Sequence, residues 1–396
     1  MELTRSWESL VAQRALAGDD ALAEILAASN APGVISFSGG LPSPETFPWE
    51  ALAEVVAGLA EARDASALQY PPTPGLASTR AWLRERIERI DAVAPAEDEL
   101  MVTSGGIEAL DCIGKAFLEP GDLVVCERPT YLGAIGGFRL HGARLEAVPV
   151  DEQGMQVDAL EALLAGGARP KLVYTIPDHQ NPAAVSLAPE RRDALVELAR
   201  RYGFLVVEDV AYRELRFDGQ LVPSLWARAP EAVVQLGTFS KTLFPGARLG
   251  WAVGPAEIVS RLAWAKQTSD QGAGSLAQRL AEELGRSGRL DAQIERSRAF
   301  YERRWQLTRA SLESHLGGMA RWVEVTGGFF TWVTLQVPAD TTELARRAIE
   351  AGVAFVPGRP FYAGEGGADS LRLAFSLAPE ARIDEGIERL RRLIDG

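Results

Sequence analysis

The chain has 396 residues, 47% of them hydrophobic and 24% charged, with a net charge of −13; this suits a globular protein with one large and one smaller lobe, and the acidity argues against nucleic acid or an anionic membrane as partner, since either is met by a basic patch. Cys112 and Cys126 give no disulfide framework, and His141, His179 and His315 are too scattered to hold a metal. No apolar run approaches the ~20 residues of a membrane span, and MELTRSWESL has no signal-peptide pattern, so the expected location is the cytoplasm.

The first 30 residues read as one or two helices, ended by Ala31-Pro32-Gly33. Val34, Ile35 and Phe37 predict a short buried strand, and Gly39-Gly40 follows where glycine lets backbone come close to a ligand. A helix over 49–62 leads into LQYPPTPGL, whose prolines hold Tyr70 on a stiff loop before another helix opens near Leu76. From Leu100 short apolar runs alternate with helical segments, the pattern of a parallel sheet wrapped by helices. LMVT runs into Ser104-Gly105-Gly106, and a helix begins with Ile107 and Glu108; bare amides at a helix start behind a glycine turn make an anion site. LVVCERPTY then brings Tyr131 to the C-terminal end of a strand, where ligands bind in open α/β sheets.

ARLEAVPV and KLVYTI are two more strands, and the second empties into PDHQNPAAV, where Asn181 presents an amide ahead of Pro182. A helix over 189–202 returns the chain to FLVVEDVAY, an apolar strand ending in acid. Asp209 is a carboxylate at the tip of a buried strand, where nothing structural requires a charge, with Glu208 turned to the opposite side by the strand period and Tyr212 three residues on. LGTFSKTLFPGARLGW follows, with Thr238, Ser240 and Lys241 ahead of a Pro-Gly turn that brings back Arg248. Lysine is scarce here, four residues among 41 basic ones. An amine at its ordinary pKa of ~10.4 is a poor nucleophile; a guanidinium or burial lowers it and fits it to form a Schiff base. Beyond LGWAVG, the predicted elements are a helix over 258–266, the polar passage QTSDQGAGS, a long arginine-rich helix from Leu290 to about His315, and a small lobe of mixed strands and helices. There SLRLAF sets Arg372 among apolar neighbours, a costly place for a charge unless an anion such as a carboxylate meets it.

SKTLFPGARLG resembles the lysine segment of the fold-type I, class I/II, pyridoxal phosphate-dependent aminotransferases, and SGGLPSPETFP, DVAYRELRF and FSKTLFPG look closest to the branch holding the 2-aminoadipate and broad-range amino acid aminotransferases. The resemblance runs from Gly39 to Arg372 and implies an α/β fold: a large domain with a mostly parallel sheet wrapped by helices, plus a smaller α+β domain. The implied division is an N-terminal arm and part of the small domain at 1–48, the large domain at 49–285 and the small domain at 286–396. It implies that Lys241 holds pyridoxal 5'-phosphate covalently, that Asp209 pairs with the ring nitrogen, that Tyr212 and Asn181 donate to the ring oxygen, and that Tyr131 stacks on the ring. Ser104, Gly105, Gly106, Ile107, Thr238, Ser240 and Arg248 would bind the phosphate, joined by Tyr70 reaching from the other subunit of a homodimer. Gly40, Asn181 and Arg372 would receive the substrate carboxylate, and an amino acid and a 2-oxo acid would exchange an amino group, with no metal.

The chain departs from the family pattern at four places. Asn181-Pro182 is followed by Ala183-Ala184 instead of Thr-Gly, Gly106 replaces a hydroxyl residue, and His179 stands where relatives often have an aromatic. Ala23 aligns with an arginine that relatives use for acidic side chains, with Arg14 the nearest substitute, so neutral, apolar or aromatic amino acids are expected over acidic ones. Two other readings keep the cofactor: a lyase, cyclase or oxidase of secondary metabolism, and a cofactor-binding regulator without turnover.

Overall fold

A computed structural model describes residues 10–15, 27 and 31–395. The helical reading of the first 30 residues falls largely outside the described residues, as does Ala23, while Arg14 is exposed. The strands are β1 (Ile35–Ser36), β2 (Leu100–Thr103), β3 (Leu123–Arg128), β4 (Arg144–Asp151), β5 (Gly154–Met155), β6 (Leu172–Thr175), β7 (Leu205–Asp209), β8 (Val233–Thr238), β9 (Gly250–Val253), β10 (Ala320–Trp322), β11 (Phe330–Leu335), β12 (Val353–Ala354), β13 (Val356–Pro357) and β14 (Ser370–Ala374).

Eight of them form one sheet in the order β2-β9-β8-β7-β6-β3-β4-β5. From β8 to β4 every neighbouring pair is parallel, while β9 runs antiparallel to both β8 and β2, and β5 antiparallel to β4. Val124, Val125, Val173, Val206, Val207, Val233 and Val234 are all buried. Continuous apolar runs of this kind are what a sheet covered on both faces requires. The helices Gly106–Phe117, Leu132–Leu140, Pro189–Tyr202 and Ala256–Gln267 supply much of that cover. Asp209 is the last residue of β7, and Tyr131, Asn181 and Lys241 stand in the segments just beyond β3, β6 and β8. Parallel pairing therefore brings their segments to one sheet edge, the usual ligand side of such a sheet.

The 28-residue helix Arg289–Leu316 follows, close to the predicted span, and carries the chain into an antiparallel sheet ordered β10-β11-β14-β13. The run AFVPG is split between two strands: β12 pairs in parallel with β1, and β13 pairs with β14. Buried Phe355 sits at the switch. β1 thus returns from the start of the chain to pack with the last third, and Ala374 donates its N–H to the Phe37 carbonyl at 2.8 Å. Arg372 lies on β14, between β11 and β13, an interior strand instead of an edge.

Gly237 faces Trp251 across the β8–β9 pair, and a Cβ there would stand 2.1 Å from the indole. Gly237→Ala should force the indole out of its packing with Phe239, costing about 1–3 kcal/mol and lowering the melting temperature by several degrees in a thermal scan.

Candidate functional site

Lys241 lies in the turn after β8, half-buried, with its Nζ donating to the Gly40 carbonyl at 2.7 Å. The amine faces the rings of Tyr212 (5.7 Å) and Phe329 (6.0 Å). Burial, followed by the nearby Arg372 and opposed by Asp209, lowers its pKa to about 8, with Arg248 adding to the lowering. Desolvation and Arg372 outrank Arg248, the guanidinium to which the sequence points.

Asp209 is buried and accepts from the Tyr174 hydroxyl at 2.9 Å and the Ala211 N–H at 3.1 Å. Both donors are neutral, so burial holds its carboxyl above the ordinary value. A buried carboxylate with only neutral donors is matched by an added N–H cation, which a protonated pyridine supplies. Glu208 turns to the other face, where it accepts from the N–H groups of Leu225 (2.7 Å) and Trp226 (3.0 Å) and caps a short helix. Tyr212 is buried against Phe329 and Phe330. It is anchored one residue on, where Arg213 forms a buried pair with Asp91 at 2.6 Å. Burial pushes the Tyr212 phenol up, with Tyr131 and Asp209 adding to the rise and Arg372, then Asn181, opposing it.

An anion cradle forms where the β2–helix turn meets the segment after β8. Gly105 has φ +96°, and a Cβ on it would stand 2.9 Å from Arg248 Nη2, so only glycine lets the guanidinium close over the start of the helix Gly106–Phe117. Arg248, itself at φ 45°, reaches Ser240 Oγ at 3.4 Å and the Ser104 carbonyl at 3.3 Å, and the Thr238 and Ser240 hydroxyls are 2.9 Å apart. Two hydroxyls, a guanidinium and open helix amides converge, a donor set that fits a phosphate. The Ser104 hydroxyl points elsewhere, donating to Asp270 at 2.5 Å beside Lys266, and its N–H donates to Glu108 at 3.1 Å, so Ser104 serves the cradle only through the carbonyl that holds Arg248. Ile107 is half-exposed on the outside of its helix.

Tyr131 caps the helix Leu132–Leu140 and folds its ring over Gly133, where a Cβ would meet it at 2.6 Å. Burial raises its phenol, with Asp209 adding to the rise and Arg372 and Arg248 opposing it. Arg372 is buried; its Nη1 donates to Asn181 Oδ1 at 2.8 Å and its Nη2 to the Ser38 carbonyl at 2.7 Å, while Phe330 lies 4.2 Å beneath the guanidinium. Its Nε has no partner and no carboxylate pairs with it among the described residues, and burial lowers its pKa to about 10. An unneutralised guanidinium so placed is a receptor for a carboxylate. Gly40 stands beside it: a Cβ there would touch Phe330 at 2.7 Å.

Tyr70 stands apart from this group, 82% exposed on its proline loop. Ser275 Oγ fixes the loop's base through the Gln69 carbonyl at 2.5 Å. His179 is buried against Gly327 and Gly328, and burial lowers its pKa to about 4, so it is a neutral packing group. The turn after Asn181 closes without glycine: Ala184 takes φ 61° and donates to the Gln180 carbonyl at 2.6 Å. Sequence reading missed Tyr174, the donor to Asp209, because an aromatic inside an apolar strand reads as core.

A sequence model of the family described as "Aminotransferase class I and II" matches residues 34–390. The chain is 39% identical over 380 residues to aromatic-amino-acid aminotransferase 1 of Thermococcus litoralis, covering 94% of this chain and 90% of that one. It is 41% identical over 377 residues to the 2-aminoadipate transaminase of Thermus thermophilus, covering 94% and 93%. The crystal structure of Pyrococcus horikoshii kynurenine aminotransferase in complex with PMP superposes with a TM-score of 0.94 at 36% identity, covering 100% of this chain and 99% of the other.

The amine at about 8 has a direct consequence. Reductive trapping of Lys241 in the apoprotein with a small aldehyde, followed by peptide mass spectrometry, should rise in rate through pH 8 and then level. An exposed lysine would keep rising toward ~10.4.

Proposed function

The chain belongs to the class I and II aminotransferases, enzymes of fold type I that depend on pyridoxal 5'-phosphate, and from that premise we propose which residues do the work and which amino acids they serve. The reaction moves an amino group from an L-amino acid to a 2-oxo acid in two halves of a ping-pong cycle. Elimination, cyclisation or oxidation on the same fold is not favoured, since the relatives named are transaminases. The observation that carries the residue assignment is the convergence of a lowered amine, a buried carboxylate, an anion cradle and an unneutralised guanidinium on one sheet edge.

When bound, pyridoxal phosphate supplies an aldehyde carbon for the exchange of amines and a ring that withdraws electrons from the substrate carbon. Lys241 is the residue that would hold it; once the incoming amino acid displaces the amine, Nζ is free to take the proton from the substrate Cα and hold it beside Tyr212. Asp209, kept in place by Tyr174, would retain a proton on the ring nitrogen. Asn181, whose Oδ1 is taken by Arg372, has its Nδ2 left to donate, and Tyr212 shares that duty. Tyr131 would cover the ring. Gly105, Gly106, Thr238, Ser240 and Arg248 would grip the phosphate, with Ser104 and Ile107 shaping the turn that presents the amides. Arg372 would orient the substrate carboxylate, with the Gly40 backbone opposite.

Tyr212, Phe329 and Phe330 line the lysine's surroundings, which supports a neutral, apolar or aromatic side chain. The name of the Thermococcus litoralis relative points the same way, while that of the Thermus thermophilus relative makes aminoadipate the competitor to test. We also infer a cytoplasmic homodimer in which exposed Tyr70 reaches the partner's phosphate. No described helix is long and apolar enough to cross a membrane. The proposed lobe boundaries remain 48/49 and 285/286, supported by the pairing of β1 with β12 and by Gly288 ahead of the long helix.

Absorbance between 300 and 500 nm tests the reading. A panel of amino acids should convert bound cofactor to its amine form, a 2-oxo acid should reverse the change, and Lys241→Ala should abolish both. Glutamate or aminoadipate as the best donor would overturn the specificity. Arg372→Leu should lower kcat/KM by about a hundredfold, the rate equivalent of losing a charge-assisted contact to the substrate, while leaving the cofactor bound.

A further inference from the structure

Below the site lies a second carboxylate that the reaction does not use. Glu127 is buried near the end of β3, and no cation pairs with it among the described residues. Its Oε1 accepts from the Thr175 hydroxyl at 2.7 Å, and its Oε2 accepts from the Ile176 N–H at 3.2 Å and from Gln180 Nε2 at 2.9 Å. The Ile176 N–H and the Gln180 amide only donate, so Oε2 must stay an acceptor, while the Thr175 hydroxyl on Oε1 can donate or accept. Burying such a group without a counter-ion costs stability. A leucine would fill the volume without that cost.

What the arrangement secures is Gln180, which is also buried. The same Nε2 donates to the Pro129 carbonyl at 2.8 Å, and Oε1 accepts from the Ala183 N–H at 2.7 Å. Its backbone N–H donates to the Val185 carbonyl at 2.9 Å, and its carbonyl accepts from Ala184 at 2.6 Å. Gln180 therefore closes the turn that carries Asn181, including the left-handed Ala184 that a glycine would occupy at lower cost. Through Pro129 it also reaches the segment that carries Tyr131. We propose that Glu127 is a positioning residue: through Gln180 it fixes Asn181 and Tyr131, the two groups on the segments after β6 and β3 that face the cofactor. The inference rests on the assignment of Asn181 to the cofactor's ring oxygen.

The test uses holoenzyme and reads the pH titration of the bound cofactor's absorbance alongside kcat/KM. Glu127→Leu keeps most of the volume but removes the acceptor that Gln180 Nε2 and the Ile176 N–H share. It should displace the titration midpoint in the same sense as Asn181→Ala and lower kcat/KM by about tenfold, the equivalent of one hydrogen bond to a charged group. In a Gln180→Met background the further change should vanish, because both substitutions break one link. A Glu127→Leu enzyme that melts differently but titrates like the wild type would overturn the proposal, as would additive effects with Gln180→Met. If Asn181→Ala itself leaves the titration unmoved, the Asn181 assignment fails and takes this proposal with it; if Asn181→Ala moves it and Glu127→Leu does not, only the proposal fails. Should Glu127→Leu not fold, Thr175→Val, which removes a single hydroxyl from the carboxylate, is expected to shift the midpoint in the same sense by less, and an unshifted midpoint counts against the proposal.

Discussion

Two cations, Lys241 and Arg372, share one poorly hydrated pocket with too little negative charge to neutralise them both. Burial, with Arg372 adding to it, brings the lysine amine down to about 8, and burial brings the guanidinium down to about 10; the unneutralised charge suits the pocket to an anion. Keeping two like charges close and dry costs free energy, so other parts of the fold have to supply it. The Gly40 carbonyl takes the amine, and the Ser38 carbonyl and Asn181 take the guanidinium. These acceptors come from the start and the middle of the chain, while Arg372 comes from near its end. The site therefore exists only once β1 has paired with β12 and the small sheet has docked.

Around this pocket, buried polar groups act mainly as fixtures. Arg213 and Asp91 pin the segment carrying Tyr212 to the end of the helix Ala77–Asp91, and Arg192 with Asp178, 2.6 Å apart, pins the loop leading to Asn181. Breaking one partner of such a pair leaves an unpaired buried charge, so each makes displacement of its segment expensive. Glu127 extends the pattern one layer deeper with neutral donors. Lys241, Tyr131, Asn181 and Tyr212 stand outside the strands, unlike Asp209 and Arg372, and precision is lent to their segments by charged or strongly donating contacts with the rigid sheet.

The opposite faces of β7 illustrate how a strand divides labour. Asp209 turns to the ligand side with no cation of its own, and Glu208, one residue earlier, turns away and caps a helix. The strand period alone separates two adjacent carboxylates into a group available for chemistry and a group committed to structure.

Much of this was legible in the sequence because it depends on local pattern. Apolar runs alternating with helices fix a parallel sheet wrapped on both faces, and the positions of Asp209, Asn181 and Lys241 just beyond apolar strands place them on one edge, since parallel strands share their C-terminal ends. The split of AFVPG between two sheets was not legible, because strand pairing partners lie far apart in sequence. Nor was the standing of Arg372 on an interior strand, the diversion of the Ser104 hydroxyl to Asp270, or the role of Tyr174. Ala183-Ala184 stands where the family has Thr-Gly, yet the turn closes on Gln180, whose own hold comes from Glu127 and Pro129 about 50 residues earlier. The sequence by itself determined which chemical groups the protein owns and on which side of the sheet they emerge. Only the tertiary structure decided how far each is desolvated and which acceptors meet it, because burial and charge proximity are properties of segments brought together from distant parts of the chain.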